Sequence, residues 1–286
     1  MSHQPQPSRI QALRFARTDR ALQTALTATQ LEVHYQPLYD VLGRRRRIVG
    51  AEALVRWRHP KRGLVSPAEF LPAAEHTGRI IDIGEFVLHD ACRRINRWGE
   101  LSSDQRFQLS VNLSGRELED DDLVDRAAAT LREHGVHPGR LTFEITETAI
   151  KEDMARCMTQ LAALRELGVN LAIDDFGTGQ SSLQYVHLFP VQAVKVDGSV
   201  TAGITDDEDG QAVMGTTILL AHTLDLVVVA EGIETAEQLE LLKAMRCDFG
   251  QGYHLDRPMS PDDVTKRLAD QHSRRRDRIR KVEGAR

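Results

Sequence analysis

Five short apolar stretches of this 286-residue chain each run into an acid, an amide or a lysine and then a turn. They cover residues 109–112, 143–147, 171–175, 193–197 and 227–231. They carry Asn112, Glu144 and Glu147, Asp174 and Asp175, Lys195 and Asp197, and Glu231. Runs of Val, Ile and Leu this short are the pattern of buried strands. One polar strand end says little. Five of them, with helical stretches between, predict parallel strands that pool carboxylates at one rim. In a βα barrel the rim at the carboxyl ends of the strands is where active sites are built. Pooled carboxylates repel one another and want cations, so the chemistry first suggested is that of a divalent-metal site.

The elements needed to position these groups can be read around them. A helix is expected over 12–29, then strands at 31–36 and 47–56. The link between those two strands is too short for a helical crossover, so they predict an antiparallel hairpin. Ser66, Pro67 and Glu69 mark a helix start, and a further helix is expected over 83–98. From 107 the pattern is regular: strand 107–112 and helix 117–134, strand 141–146 and helix 151–167, strand 169–174 and a short helix near 181–188. Strand 193–197 with helix 209–224, strand 226–230 with helix 235–245, and strand 247–251 with a helix from Ser260 complete the series. Eight strands with helices predict an α/β fold, a TIM-like (β/α)8 barrel with an irregular, antiparallel first strand. Residues 1–10 read as a disordered tail, 11–270 as the barrel and 271–286 as a basic tail.

Composition narrows the options. Apolar residues make up 41% and charged residues 28%, ordinary for a soluble globular protein. The 37 basic and 42 acidic residues leave a net charge of −5, which gives no general pull toward nucleic acid polymers or membranes. Cys92, Cys157 and Cys247 are few and far apart, which argues against a disulfide framework and fits a reducing cytoplasm. No stretch has the length of a membrane span.

Seven motifs, in order over about 200 residues, carry a family resemblance. They are Glu52-Ala53-Leu54 with Arg56 and His59 behind it, Ser110-Val111-Asn112, Glu144 with Glu147, Asp174-Asp175-Phe176-Gly177, Lys195-Val196-Asp197, Ala230-Glu231-Gly232 and Gln251-Gly252-Tyr253. The chain resembles the EAL domain family of cyclic-di-GMP-specific phosphodiesterases. That resemblance implies hydrolysis of cyclic di-GMP to linear pGpG, two Mg2+ or Mn2+ ions, a homodimer and a cytoplasmic setting. It assigns Glu52, Asn112, Glu144 and Asp174 to the first ion, with Asp174 bridging to a second that Asp175 helps to hold.

By the same resemblance Lys195 faces the attacking water or phosphate, and Glu231 is the general base or a ligand of the second ion. Gln251 contacts metal-bound water. Glu147 anchors the loop from Asp175 to Ser182, where the second ion and the dimer contact lie. Gln36, Leu54 and Arg56 match positions that touch the dinucleotide, and Asp197 is grouped with them. The residues alone leave other roles open. Lys195 could pair with Asp197, Glu231 or Glu147 could cap a helix, Gln251 could be a structural amide, and Arg56 could pair with a core acid. Two neighbours in a strand face opposite ways, so Asp174 and Asp175 can share a site only if the strand ends there. Gln180, Gly198 and Val200 depart from the usual pattern, which bears on the loop, the dimer contact and rate. A nucleotide receptor without turnover and a two-carboxylate glycosidase are the competing classes. The second has no use for Asn112, Lys195 and a doubled Asp.

Overall fold

The computed structural model describes residues 9–43, 46–102, 107–146, 149, 154–177, 186–206 and 208–283. Helix α1 (Arg9–Thr27) leads into the hairpin of β1 (Leu31–Asp40) and β2 (Arg47–His59), whose end turns back as β3 (Gly63–Val65). Helices α2 (Pro67–Thr77) and α3 (Ile80–Ser102) precede β4 (Gln108–Asn112), α4 (Gly115–Leu118), α5 (Leu123–Glu133) and β5 (Leu141–Thr146). Then come α6 (Met154–Leu167), β6 (Asn170–Phe176), β7 (Ala193–Val196), α7 (Gly198–Gly203), α8 (Glu208–Thr223) and β8 (Val227–Ala230). Helix α9 (Ala236–Ala244), β9 (Phe249–Gly250) and α10 (Pro261–Glu283) complete the described chain.

Eight strands close into a barrel in the order β1-β9-β8-β7-β6-β5-β4-β2, sealed by the β1–β2 pairing. Neighbours are parallel all the way from β2 through β4 to β9. Strand β1 alone runs the other way, antiparallel to both β2 and β9. This is the expected barrel with the expected reversed first strand.

Side chains on the outer face of the strands make the main core. Leu109, Ile145, Leu171, Val194, Val196, Val228 and Ala230 are all buried between barrel and helices. The helices answer with Ile83, Ile95, Leu131, Leu161, Leu164 and Leu242, also buried. Their removal from water is the principal force holding the barrel closed. Strand β2 outruns its barrel neighbour: it pairs with β4 only from Gly50 to Ala53. Its remainder pairs with the start of β1 and with β3, so the hairpin stands above the rim as a wall.

Several elements differ from the sequence expectation for local reasons. The helix expected over 117–134 is two helices. A capping box of Ser114 and Glu117 starts α4, and Asp120 then accepts from the Asp122 amide and pairs with Arg126, which holds a turn between them. Helix α2 starts at Pro67 as expected, but Ser66 makes no side-chain cap bond and Glu69 pairs with Arg62 instead. Of the short helix near 181–188, residues 181–185 lie outside the described residues and Val186–Leu188 form a single 3-10 turn. The last strand shrinks to two residues. Helix α10 extends through Glu283, so most of the basic C-terminal run has helical backbone. Cys92, Cys157 and Cys247 are buried thiols outside any disulfide. Among the described residues, no helix is long and apolar enough to cross a membrane.

Candidate active site

Strand register explains how distant acids meet. Glu52 pairs with Ser110, and Asn112 lies two residues further along β4. Asn112 pairs with Glu144. Glu144 pairs with Ala172, two residues before Asp174. Ala172 pairs with Ala193, two residues before Lys195. Lys195 pairs with Val229, two before Glu231, and Val229 pairs with Phe249, two before Gln251. Every step is even, so the pleat turns all seven side chains to the same face. That face is the barrel interior at the carboxyl ends of the strands. On the wall, Gln36 sits opposite Glu52, and Leu54 and Arg56 follow Glu52 at the same two-residue spacing.

Lys195 lies at the centre. Its ammonium is 2.7 Å from Glu231, 2.8 Å from Glu144, 3.2 Å from Glu52 and 3.3 Å from Asp174. It is 2% exposed, and Glu144 is 3% exposed. The Gln251 amide donates to Glu52 and to Glu231, each at 2.7 Å. The Asn112 amide donates to Glu52 at 2.8 Å. The pairing of Lys195 with Asp197 left open by the sequence does not form. Asp197 caps α7 instead, accepting from the Ser199 amide at 2.9 Å. Nor is Glu231 a helix cap, since Thr235 and Gln238 form the capping box of α9.

Asp174 and Asp175 do share the site, but the strand does not end between them. Strand β6 continues to Phe176 and carries one extra residue against β7 between Ile173 and Phe176. Asp175 takes the left-handed backbone at φ 56°, a conformation Asp tolerates better than most residues. This bulge re-aims a side chain, as bulges beside active sites do. One carboxylate oxygen each from Asp174, Asp175 and Glu231 lies within 4.8 Å of the other two.

The electrostatics show an excess of negative charge. Burial and the neighbouring Glu52 and Asp174 push Glu144 well above the usual carboxylate range, against the pull of Lys195. Burial likewise pushes Glu231 up to about 7, Lys195 again opposing and Asp174 and Glu52 assisting. Asp175 is raised by burial, then by Asp174 and Asp197. Burial acts on Glu52 too, yet Lys195 and the amides of Gln251 and Asn112 outweigh it and hold Glu52 low. Burial works against the Lys195 cation, and the four carboxylates overcome it and hold the proton firmly. One ammonium thus serves four acids, and among the described residues the buried Asp174 Oδ1, though 3.3 Å from that ammonium, accepts no hydrogen bond. An all-oxygen donor set with surplus charge and an unsatisfied buried oxygen fits hard divalent cations.

Glu147, Gln180, Ser181 and Ser182 lie outside the described residues. Arg56 is half-buried, and its guanidinium donates to the Val55 carbonyl at 2.9 Å. Burial lowers its proton affinity, while Tyr253 and Glu52 raise it. Tyr253, and Arg257 beside it, are two side chains to which the sequence pointed no role. Tyr253 is 53% exposed, and the Arg257 guanidinium lies 4.0 Å from its ring centroid. An aromatic two residues beyond the last strand-end amide was the signal that could have marked them.

Comparison with known proteins agrees with this geometry. The EAL domain model matches residues 19–258. The bifunctional diguanylate cyclase/cyclic di-GMP phosphodiesterase MucR of Pseudomonas aeruginosa is 39% identical over 248 residues, 87% of this chain and 36% of that protein. The cyclic di-GMP phosphodiesterase NbdA of the same organism is 38% identical over 250 residues, 87% of this chain and 32% of that protein. The chain thus spans about a third of the length of these relatives. Among solved structures, the PaMucR phosphodiesterase in complex with c-di-GMP superposes with a TM-score of 0.80 at 38% identity, covering 87% of this chain and 99% of that one. The EAL enzyme Bd1971, bound to cAMP and cyclic-di-GMP, gives 0.84 at 33% identity, covering 90% of this chain and 70% of that one. With its motifs on one barrel rim and the family pattern matched over nearly its whole length, the chain belongs to the EAL domain family.

Proposed function

We propose that the chain is a metal-dependent phosphodiesterase that hydrolyses cyclic di-GMP to linear pGpG. The observation that carries this reading is the convergence of Glu52, Glu144, Asp174 and Glu231 on one buried ammonium at the strand ends. The relatives named as cyclic di-GMP phosphodiesterases support the substrate. In this reading Glu52, Asn112, Glu144 and Asp174 hold one divalent ion, Mg2+ or Mn2+. Asp174, Asp175 and Glu231 hold a second in the same reading, which the 4.8 Å grouping of their oxygens supports. Bound there, such ions supply Lewis-acid polarisation and offset the charge that builds on the phosphoryl group.

The protein's own groups do the rest. Glu231 accepts the proton of the attacking water as general base. The Gln251 amide fixes the Glu231 carboxylate by donating to it. Lys195 keeps a positive charge aimed at the reacting phosphate. Gln36, Leu54 and Arg56 line the wall, where Arg56 offers planar, forked donors to a phosphate or a guanine edge. Tyr253 and Arg257 add an aromatic face and a second cation beside it, Asp197 borders the same mouth, and Glu147 steadies the loop after Asp175. Residues 11–270 form the catalytic unit.

Purified protein given cyclic di-GMP and Mg2+ or Mn2+ is expected to release the linear dinucleotide, and EDTA to stop it. Glu231→Gln should lower kcat by about a hundredfold or more while nucleotide binding and the melting temperature persist. Nucleotide bound without linear product under either metal would mean a receptor and overturn the enzymatic reading. Ordinary turnover in Glu231→Gln would remove that residue from the base role.

A further inference from the structure

Outside the barrel, on the flank where α3 meets α5, two imidazoles and a carboxylate converge. His89 lies in the middle of α3. Glu133 is the last residue of α5, and His134 follows as its C-cap. His89 Nδ1 lies 3.2 Å from His134 Nε2, with the rings nearly perpendicular at 80°. Glu133 reaches both rings, its Oε2 standing 3.9 Å from His89 Nδ1 and its Oε1 3.9 Å from His134 Nε2. One ligand atom from each of the three falls within 4.8 Å of the others.

The geometry points to a binding site for a borderline transition ion, Zn2+ above all, formed by His89, His134 and Glu133 and clamping α3 to α5. Zinc–imidazole bonds of about 2.0–2.1 Å arranged tetrahedrally set two ligand nitrogens about 3.3 Å apart. The observed separation of 3.2 Å, at which the two rings share a hydrogen bond, is close to that edge, so an ion would replace that bond as the rings turn toward a common point. His89 Nε2 meets the buried Thr130 hydroxyl at 3.3 Å, with Glu85 at 3.9 Å behind it. Ligating histidines commonly engage their other ring nitrogen in this way, which orients the ring and leaves the first nitrogen free to bind. The His134 backbone is tied to α3 through Asn96, whose amide donates to the His134 carbonyl at 3.2 Å. A carboxylate set against two imidazoles supplies the negative charge a cation needs.

Two histidines with one glutamate also form a familiar zinc ligand set, with water completing the shell. Imidazole favours zinc, nickel and copper, whereas the all-oxygen rim favours magnesium and manganese. The two places therefore select different ions by ligand chemistry. The flank site belongs to no part of the proposed reaction, and its ion acts as a staple between helices.

The test separates the flank from the rim. In a Glu52→Gln, Asp174→Asn background, calorimetric titration with zinc chloride should still show one tight equivalent. Cobalt chloride should give the visible absorption of a tetrahedral site. Adding His89→Gln and His134→Gln should abolish both signals, and Glu133→Gln alone should weaken zinc by about tenfold or more. In the otherwise unchanged protein, His89→Gln with His134→Gln should leave Mg2+-dependent phosphodiesterase activity within about twofold, and in the Glu52→Gln, Asp174→Asn background the same pair should remove the zinc-induced rise in melting temperature. Unaltered zinc binding in the histidine double variant overturns the site, as does no zinc binding in the Glu52→Gln, Asp174→Asn background with native circular dichroism. If the double variant fails to fold, His134→Gln alone decides the question by the same two signals.

Discussion

At the scale of single residues, Lys195 governs the acids of the rim. It is buried and serves four carboxylates, so its loss strands a set of like charges in a low-dielectric interior. Lys195→Met is expected to lower unfolding free energy by about 3–5 kcal/mol in the presence of a chelator at pH 8. Mn2+ should restore much of that, because divalent charge replaces the missing ammonium. Urea unfolding with and without Mn2+ checks both halves. The acids themselves were legible from sequence, because carboxylates that recur at the ends of buried strands must either share a polar rim or each bear the cost of burial alone. The partners of Lys195 were not legible. Asp197 is its near neighbour in the chain, yet the partners Glu144 and Glu52 lie 51 and 143 residues away. Only the register of parallel strands brings them close.

At the scale of elements, two departures from regular structure do most of the positioning. The bulge in β6 lets adjacent aspartates serve one site, and no residue pattern distinguishes it in advance from a strand that simply stops. The capping box of α4 buries Glu117, whose carboxylate accepts from the Ser114 amide at 2.9 Å. Burial pushes its carboxyl from the ordinary 4.5 up to about 7, against the Ser114 hydrogen bonds. Between those pH values the folded chain holds a proton the unfolded chain has released. This group therefore makes the fold less stable as pH rises through that window, by up to about 3 kcal/mol. Glu117→Gln keeps an acceptor oxygen but cannot ionise. Relative to this variant, the parent should lose stability between pH 5 and pH 8, a difference measurable by urea unfolding at the two values. Equal slopes in both proteins would mean the carboxyl ionises freely in its pocket. Spacing alone predicted one long helix here, because it does not register how a local hydrogen bond such as that of Asp120 competes with the helical one.

At the scale of the whole molecule, the barrel depends on one tight seam. Only Tyr39 with Gly250 and Asp40 with Phe249 join β1 to β9. Behind that short pairing the chain doubles back past Ile233, whose amide and carbonyl bond to Gln251 and His254. Gly252 lies directly against that backbone, where an added Cβ would collide with Ile233 nitrogen and oxygen. Gly252→Ala is therefore expected to cost about 2–3 kcal/mol or more and to displace Gln251. Lowered melting temperature together with weakened Mn2+ binding is the outcome that checks it. The eight-strand closure was readable from the alternation of apolar runs and helices, and the reversed β1 from the length of its link to β2. The shortness of β9 was not, because Cys247 to Gln251 looks like a full strand until the packing of Ile233 is known. The polarity of that first strand has a consequence for any larger polypeptide carrying this unit. Helix α1 leads into β1 at the height of the wall, and the chain leaving β9 returns to the same strand, where Met259 pairs with Tyr35, before α10 begins at Pro261. A module joined upstream through α1 and one joined downstream through α10 would therefore both bear on β1, the reversed strand, and neither would need to reach Lys195.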